Sequence, residues 1–351
     1  MLRLSLVALT ALGVAPLGVG GALPQADGPR PPADAPAALF DAADPLAITL
    51  TADFNAIAKE RGEKKSPHPG VLSYVTPGGD SVSLNVSLHT RGHYRLRICQ
   101  FPPLKVEFEK NASAHTLFAH QGELKLVVQC RDNRANTNYL LEEYLIYRVY
   151  NLVTPRSFRA RLTRVTYVDA TGRRQPETRY GFFLENDGRM AQRNRTHVVD
   201  TKGVIQSQTD PSQMGLVGVF EYLIGNTDWS VAALHNIVLI EDTTGGLYPV
   251  PYDFDWSGVI APPYAVPDSR LGIRTVRDRL YRSYCRTAAE LAPVFAAFNA
   301  VKDSIYALYR GQEDLERGRV ERALGYYDEF YRTINDPRRV KREFIESCVP
   351  G

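Results

Sequence analysis

The sequence predicts an α+β fold of two lobes, a β-rich N-terminal lobe followed by a helical C-terminal one. Three observations carry that expectation. From Val71 to Phe108, apolar and polar residues alternate in short runs separated by turn residues. One strongly apolar stretch, Tyr139 to Tyr147, interrupts the β pattern as a single buried helix would. From Ala288 onward, apolar residues recur at three- and four-residue steps, the spacing of helices buried on one face.

Each element follows from its residues. Val71–Val75 and Val82–Leu88 flank Pro77-Gly78-Gly79-Asp80, where glycine supplies the positive φ of a hairpin turn. Val82, Leu84, Val86 and Leu88 alternate with polar neighbours, so that strand buries one face. Leu104–Phe108 alternates likewise, and Leu124–Val128 is a further short strand. Asn136 and Thr137 offer caps for the buried helix. Phe158–Val168 and Tyr180–Leu184 return to strand character around a Thr171-Gly172 turn. A helix over Leu216–Ile224 ends at Gly225. Helices over Ala288–Tyr309 and Leu315–Ile334, and a short one from Pro337, complete the helical part.

The first residues have the pattern of a secretory signal: Arg3, an apolar run from Leu4 to Leu12, and small residues at Gly20-Gly21-Ala22. Cleavage near Ala22 is favoured over an uncleaved anchor, because the apolar run falls short of the roughly 20 residues of a membrane span. Residues 23–45 read as a Pro/Ala-rich linker and 46–351 as the folded domain, with lobes of about 46–185 and 186–351. The expected location is secreted or extracytoplasmic, in the periplasm or cell envelope, with no stable membrane insertion after cleavage. Four cysteines, Cys99, Cys130, Cys285 and Cys348, would then meet oxidising conditions. Of three connectivities, Cys99–Cys130 with Cys285–Cys348 keeps each pair within one region; buried free thiols are the alternative. The formal charge of +3, from 42 basic and 39 acidic residues, predicts no large basic face for nucleic acid.

The chemically informative stretch runs from Gly225 to Gly258. A helix ends at Gly225, and Asn226-Thr227-Asp228-Trp229-Ser230 follows as a polar loop. His235-Asn236 leads into Ile237–Ile240, and a Thr243-Thr244-Gly245-Gly246 turn leads to Leu247–Val250 and then Asp253-Phe254-Asp255. A hairpin brings its outer ends together, so Asn236 and Asp253 should lie close although 17 positions apart. One amide and one or two carboxylates suit Mg²⁺ or Mn²⁺, which complete their shell with phosphates. A loop Asp, a downstream Asn, a hairpin and a DFG-type Asp is the order of protein kinases. Taken singly, each piece can be structural: Asp-Trp-Ser can cap a loop and His-Asn can close a turn.

These residues resemble the spore coat protein H (CotH) kinases, a secreted atypical protein kinase-like family. Arg91-Gly92-His93 with Pro102-Pro103-Leu104-Lys105-Val106-Glu107-Phe108 is similar to that family's Arg-Gly-Asn…Pro-Tyr-Lys-Ile-Lys-Phe region. Tyr180–Glu185 is similar to its Gly-Xaa-Tyr-Leu-Leu-Xaa-Glu strand, and the Asp228, Asn236 and Asp253-Phe254-Asp255 segments to its catalytic and metal segments. The likeness spans Arg91 to Gly258, with the last two motifs the specific ones. It implies a two-lobed protein kinase-like fold. It also implies roles: Asp228 as base, Asn236 and Asp253 as metal ligands, and Asp255 as a second metal contact. Lys105 would touch the nucleotide phosphates, held by Glu142 or Glu143, and the strand ending at Glu185 would border the adenine. Alternation with Val106 and Phe108 sets Lys105 on the opposite face, toward either a cleft or solvent.

The chain departs from the pattern at His93, in lacking a glycine-rich phosphate loop, and in an Asp228-to-Asn236 spacing of eight against about five in ordinary kinases. The expected function is transfer of the ATP γ-phosphoryl group, with Mg²⁺ or Mn²⁺, to a Ser or Thr hydroxyl of a protein. Its rivals are an inactive envelope or structural binding protein and a metal-dependent hydrolase using Asp228 and His235.

Overall fold

The computed structural model describes residues 39–62, 65–92 and 94–349. The expected signal peptide, most of the expected linker, and His93 lie outside the described residues.

In chain order the elements are β1 (Leu46–Ala52), α1 (Phe54–Lys59), β2 (His68–Val75), β3 (Ser81–Thr90), α2 (Tyr94–Ile98), β4 (Leu104–Phe108) and β5 (Glu123–Val128). Next come α3 (Arg134–Val153), β6 (Ala160–Asp169), β7 (Glu177–Leu184), α4 (Asp187–Arg193), β8 (His197–Val199) and α5 (Pro211–Ile224). The chain continues through β9 (Ile237–Glu241), β10 (Leu247–Pro251), α6 (Ala288–Ala300), α7 (Lys302–Arg310), α8 (Arg317–Ile334) and α9 (Pro337–Val340).

The first seven strands close into a barrel in the order β1-β2-β3-β4-β5-β7-β6. Every neighbouring pair is antiparallel except β1 and β6, which run parallel and seal it, Leu46 opposite Thr163 and Ala52 opposite Asp169. Gly79, at φ 91°, turns the β2–β3 hairpin, and the Thr76 N–H donates to Asp80 O at 2.8 Å. Leu50, Leu72, Leu88, Val106, Leu126 and Phe183 fill the barrel interior.

A strand sends successive side chains to opposite faces, and β5 and β7 bury both. Leu126 and Val128 point into the barrel while Val127 points out; Phe183 points in while Phe182 points out. The outward pair meets α3, which Asn133 caps by accepting from the Asn136 N–H at 2.9 Å. That helix is covered in turn by α5 and the helices that follow, forming a second core. A three-stranded antiparallel sheet, β10-β9-β8, borders it.

The expectation of a two-lobed protein kinase-like fold is therefore corrected: the β-rich half is a closed seven-stranded barrel, not an open N-terminal lobe. Closure joins segments 117 positions apart, Leu46 to Thr163. Local alternation reveals that a strand exists but not which distant strand it will pair with. The helical part differs in detail, since one expected helix breaks at Val301 into α6 and α7.

The cysteines pair as Cys99–Cys130 and Cys285–Cys348. Two disulfides suit an oxidising compartment. Among the described residues no helix is long and apolar enough to cross a membrane.

Candidate functional site

The candidate site assembles where α5, the β9–β10 hairpin, α2 and α3 meet. Helix α5 ends at Gly225, φ 68°. A Cβ there would stand 2.0 Å from Tyr326 Oη, so no other residue fits without moving that tyrosine. The chain then enters the loop that carries Asp228. Asn226 Oδ1 accepts from the Asp228 N–H at 3.0 Å, and the Arg282 guanidinium donates to the carbonyls of Thr227 and, at 3.1 Å, Trp229. Ser230 and His235 exchange backbone bonds of 2.9 and 3.0 Å and close the loop. The closure sets His235 Nε2 2.8 Å from Asp228 Oδ1.

Asn236 locks the same loop to the hairpin. Its Nδ2 donates to Asp228 O at 2.7 Å and to Asp228 Oδ2 at 3.2 Å. Its Oδ1 makes no hydrogen bond among the described residues. At the other end of the hairpin, the Tyr252 N–H donates to Asn236 O at 3.0 Å. The Asp253 N–H donates to Tyr147 Oη of α3 at 2.9 Å. Asn236 and Asp253 both adopt left-handed backbone, φ 53° and 64°. Non-glycine residues held there cost stability and cluster at working sites. Asp228, Asn236 and Asp253 are thus brought together around the hairpin mouth.

Asp255 and Glu143 lie behind them. Both are buried, and burial pushes each carboxyl up, with the charge of Asp253 adding to the rise. Arg95 of α2 opposes this, with Nη1 3.4 Å from Glu143 and Nη2 donating to Val128 O at 2.8 Å. Burial lowers the Arg95 pKa, but Glu143 and Asp255 outweigh it and raise the net value. Tyr264 Oη donates to Asp255 at 3.1 Å. Glu143 Oε1 is buried without a hydrogen-bond partner among the described residues. Burial, then Glu143 and Asp253, push the Tyr147 phenol well above its usual value.

Other expected residues stand elsewhere. Lys105 does face away from the barrel core, but its Nζ pairs with Glu123 at 2.8 Å and meets neither Glu142 nor Glu143. The reason is register: β4 sets Lys105 beside Lys125 and next to the Glu123 pair position. Glu142 is fully buried and bonded to Arg319 of α8, whose Nε stands 3.0 Å away. Glu185 is buried between Arg159 and Arg193, at 3.3 and 2.8 Å, and fastens α4 to the start of β6.

Two cations without an expected role, Lys125 and Arg91, stand beside the residues around Asp253. Lys125 Nζ lies 4.8 Å from the Tyr252 ring centre and 2.8 Å from Asp187. Arg91, its Nε buried without a hydrogen-bond partner among the described residues, acts electrostatically on Glu143, Tyr147 and Tyr252. Nothing in the local pattern set Lys125 apart from Lys105; only the shared register and the position of Tyr252 do.

Among the described residues no three His, Cys, Asp or Glu side chains form a ready metal-holding group. Three oxygen-bearing groups nevertheless gather here: Asn236 Oδ1 and the Asp253 carboxylate at the hairpin mouth, and the buried Asp255 carboxylate behind them. Such a set fits a hard divalent ion that takes its remaining ligands from water and phosphate.

No family model matches the chain, and no curated protein matches it closely enough to count as a relative.

Proposed function

We propose that this chain is an extracytoplasmic phosphotransferase that moves the γ-phosphoryl group of ATP to a Ser or Thr hydroxyl of a protein, with Mg²⁺ or Mn²⁺. The observation that carries the reading is the pair of left-handed residues, Asn236 and Asp253, held side by side at the hairpin mouth. Neither is a glycine, and each bears an oxygen donor there. The resemblance to the CotH kinases supports the same assignment of residues. The activity would be hosted on a barrel scaffold, since function lies in the site rather than in the fold.

Asn236, Asp253 and Asp255 would hold the divalent ion, which when bound would screen the charge of the phosphates. Lys125 and Arg91 would hold phosphate oxygens, in the role that the resemblance gives to Lys105. Asp228 would accept the proton of the acceptor hydroxyl. His235, bonded to Asp228 Oδ1, and Asn236, bonded to Asp228 O and Oδ2, fix the direction of that carboxylate. A positioned base contributes about 10²–10⁴-fold in rate. The apolar, export-like N-terminal sequence and the two disulfides support a secreted location.

The test is transfer of labelled γ-phosphate by the purified protein with each divalent ion. Asp253→Ala is expected to abolish transfer, and Asp228→Ala to slow it about 10²–10⁴-fold while sparing nucleotide binding measured by calorimetry. Near-wild-type transfer by Asp253→Ala would overturn the assignment.

A further inference from the structure

Asp228 opens on a cavity of about 530 Å³, lined also by His235, Trp256, Val266 and Arg282. A second cavity of about 460 Å³ adjoins it and shares three of its walls, Ser230, Leu271 and Arg282. The second cavity is mainly apolar: Ile205, Val231, Ala232, Leu280, Tyr284 and Val349 face it. Only seven large hydrophobic side chains are exposed among the described residues, and three of them, Ile205, Val266 and Val349, belong to these two cavities. Apolar exposure concentrated beside a candidate base marks a place where something binds.

The walls are held in place. Gln206 accepts from the Tyr284 N–H at 3.0 Å and donates to Arg282 O at 2.9 Å, which fixes the Ile205 side. The Gly203 N–H donates to Ala232 O at 2.8 Å, joining that side to the Asp228 loop. Opposite, the Cys285–Cys348 disulfide and backbone bonds from Cys285 N–H to Val349 O (3.0 Å) and from Val349 N–H to Ser283 O (3.1 Å) pin Val349 to the rim. Arg282 divides the cavities and is committed to the Thr227 and Trp229 carbonyls. The partition therefore stays put, and the second cavity offers a bound chain mostly hydrocarbon.

We propose that the second cavity is an acceptor subsite: it takes an apolar side chain of an extended peptide whose hydroxyl residue reaches Asp228. This rests on the phosphotransferase reading and adds the substrate class, a hydroxyl-bearing peptide with a large aliphatic residue a short distance along the chain. Extended peptides advance about 3.3 Å per residue, so adjoining cavities correspond to a separation of one to four residues.

The experiment uses fluorescent nine-residue peptides with a central serine in an alanine background, each carrying one leucine at a different position within four residues of the serine. Both binding anisotropy and phosphate transfer are read. One leucine position is expected to gain about tenfold in affinity and in kcat/KM over the all-alanine peptide. Ile205→Asp and Val349→Asp are each expected to erase the gain, and Val75→Asp, an exposed apolar residue on the barrel, to leave it intact. Transfer with no leucine preference overturns the subsite and leaves the transferase reading standing. Leucine-dependent binding, lost in Ile205→Asp but without transfer, upholds the cavity as a peptide side-chain site and overturns the transferase reading together with the acceptor role. A wild type that self-associates in sedimentation, with Ile205→Asp monomeric, would make the cavity an interface between copies and overturn the proposal.

Discussion

Replacing Asp253 by glycine separates what the residue does for the fold from what it does for the site. At φ 64° its Cβ crowds the following carbonyl, at a cost of about 1–2 kcal/mol, with aspartate at the lower end. Its N–H bond to Tyr147 Oη survives in any non-proline variant. Beyond the effect of burial, its charge raises Asp255 and Glu143, and that repulsion goes with the side chain. Asp253→Gly thus regains roughly 1 kcal/mol of strain and the repulsion. It loses about 0.5–1 kcal/mol to the freer unfolded chain. The expected variant matches the parent or exceeds it by up to about 1 kcal/mol, yet transfers no phosphate. Asp253→Ala keeps the strained backbone and should lie about 1 kcal/mol below the glycine variant. Urea unfolding followed by fluorescence measures all three proteins. A glycine variant no more stable than the alanine one would refute the reasoning, because the backbone would then not be the source of the cost.

Three further outcomes are expected. Arg319→Met should cost about 3–5 kcal/mol by stranding Glu142 without its partner, whereas Glu142→Leu with Arg319→Met should recover most of that loss; denaturant titrations compare them. Lys125→Ala should weaken binding of Mg²⁺-ATP about tenfold or more, and Lys105→Ala should leave it nearly unchanged, by calorimetry; equal losses would return the phosphate role to Lys105. Asp242, held well below its ordinary value of 3.8 by hydrogen bonds from Thr244, Tyr248 and the Gly246 N–H, stabilises the β9–β10 turn while ionised. A depressed carboxyl contributes above its unfolded pKa and ceases to as pH falls through the folded value. Acid unfolding of Asp242→Ala should therefore show a shallower dependence than the parent below about pH 4, and identical acid limbs would exclude the role.

The strands that alternate strictly were legible in the sequence, and so were the two hairpins. Leu104–Phe108 and the β9–β10 hairpin fall where their residue pattern sets them. Asn236 and Asp253 could be brought together on paper because a hairpin is a local constraint. Barrel closure could not: β1 pairs with a strand more than a hundred positions away, and no local feature of Leu46–Ala52 points to it. The same limit explains Lys125. Which lysine overlooks the hairpin depends on how β5 is registered against β4 and β7, a property of the closed sheet. Glu142 and Glu143, adjacent in sequence, diverge for a helical reason: successive residues point about 100° apart, so one meets Arg319 of α8 and the other Arg95 of α2.

The parallel seam of the barrel bears on how the chain matures. Strand β1 is made early, but its partner β6 begins only at Ala160. Until that segment emerges, β1 has a neighbour on one side alone, and its other edge is an open template for any foreign strand. A ribosome halted before Ala160 would hold a five-stranded sheet with two raw edges, those of β1 and β5. The last strands to arrive therefore do more than add area: they remove the hazard left by the first.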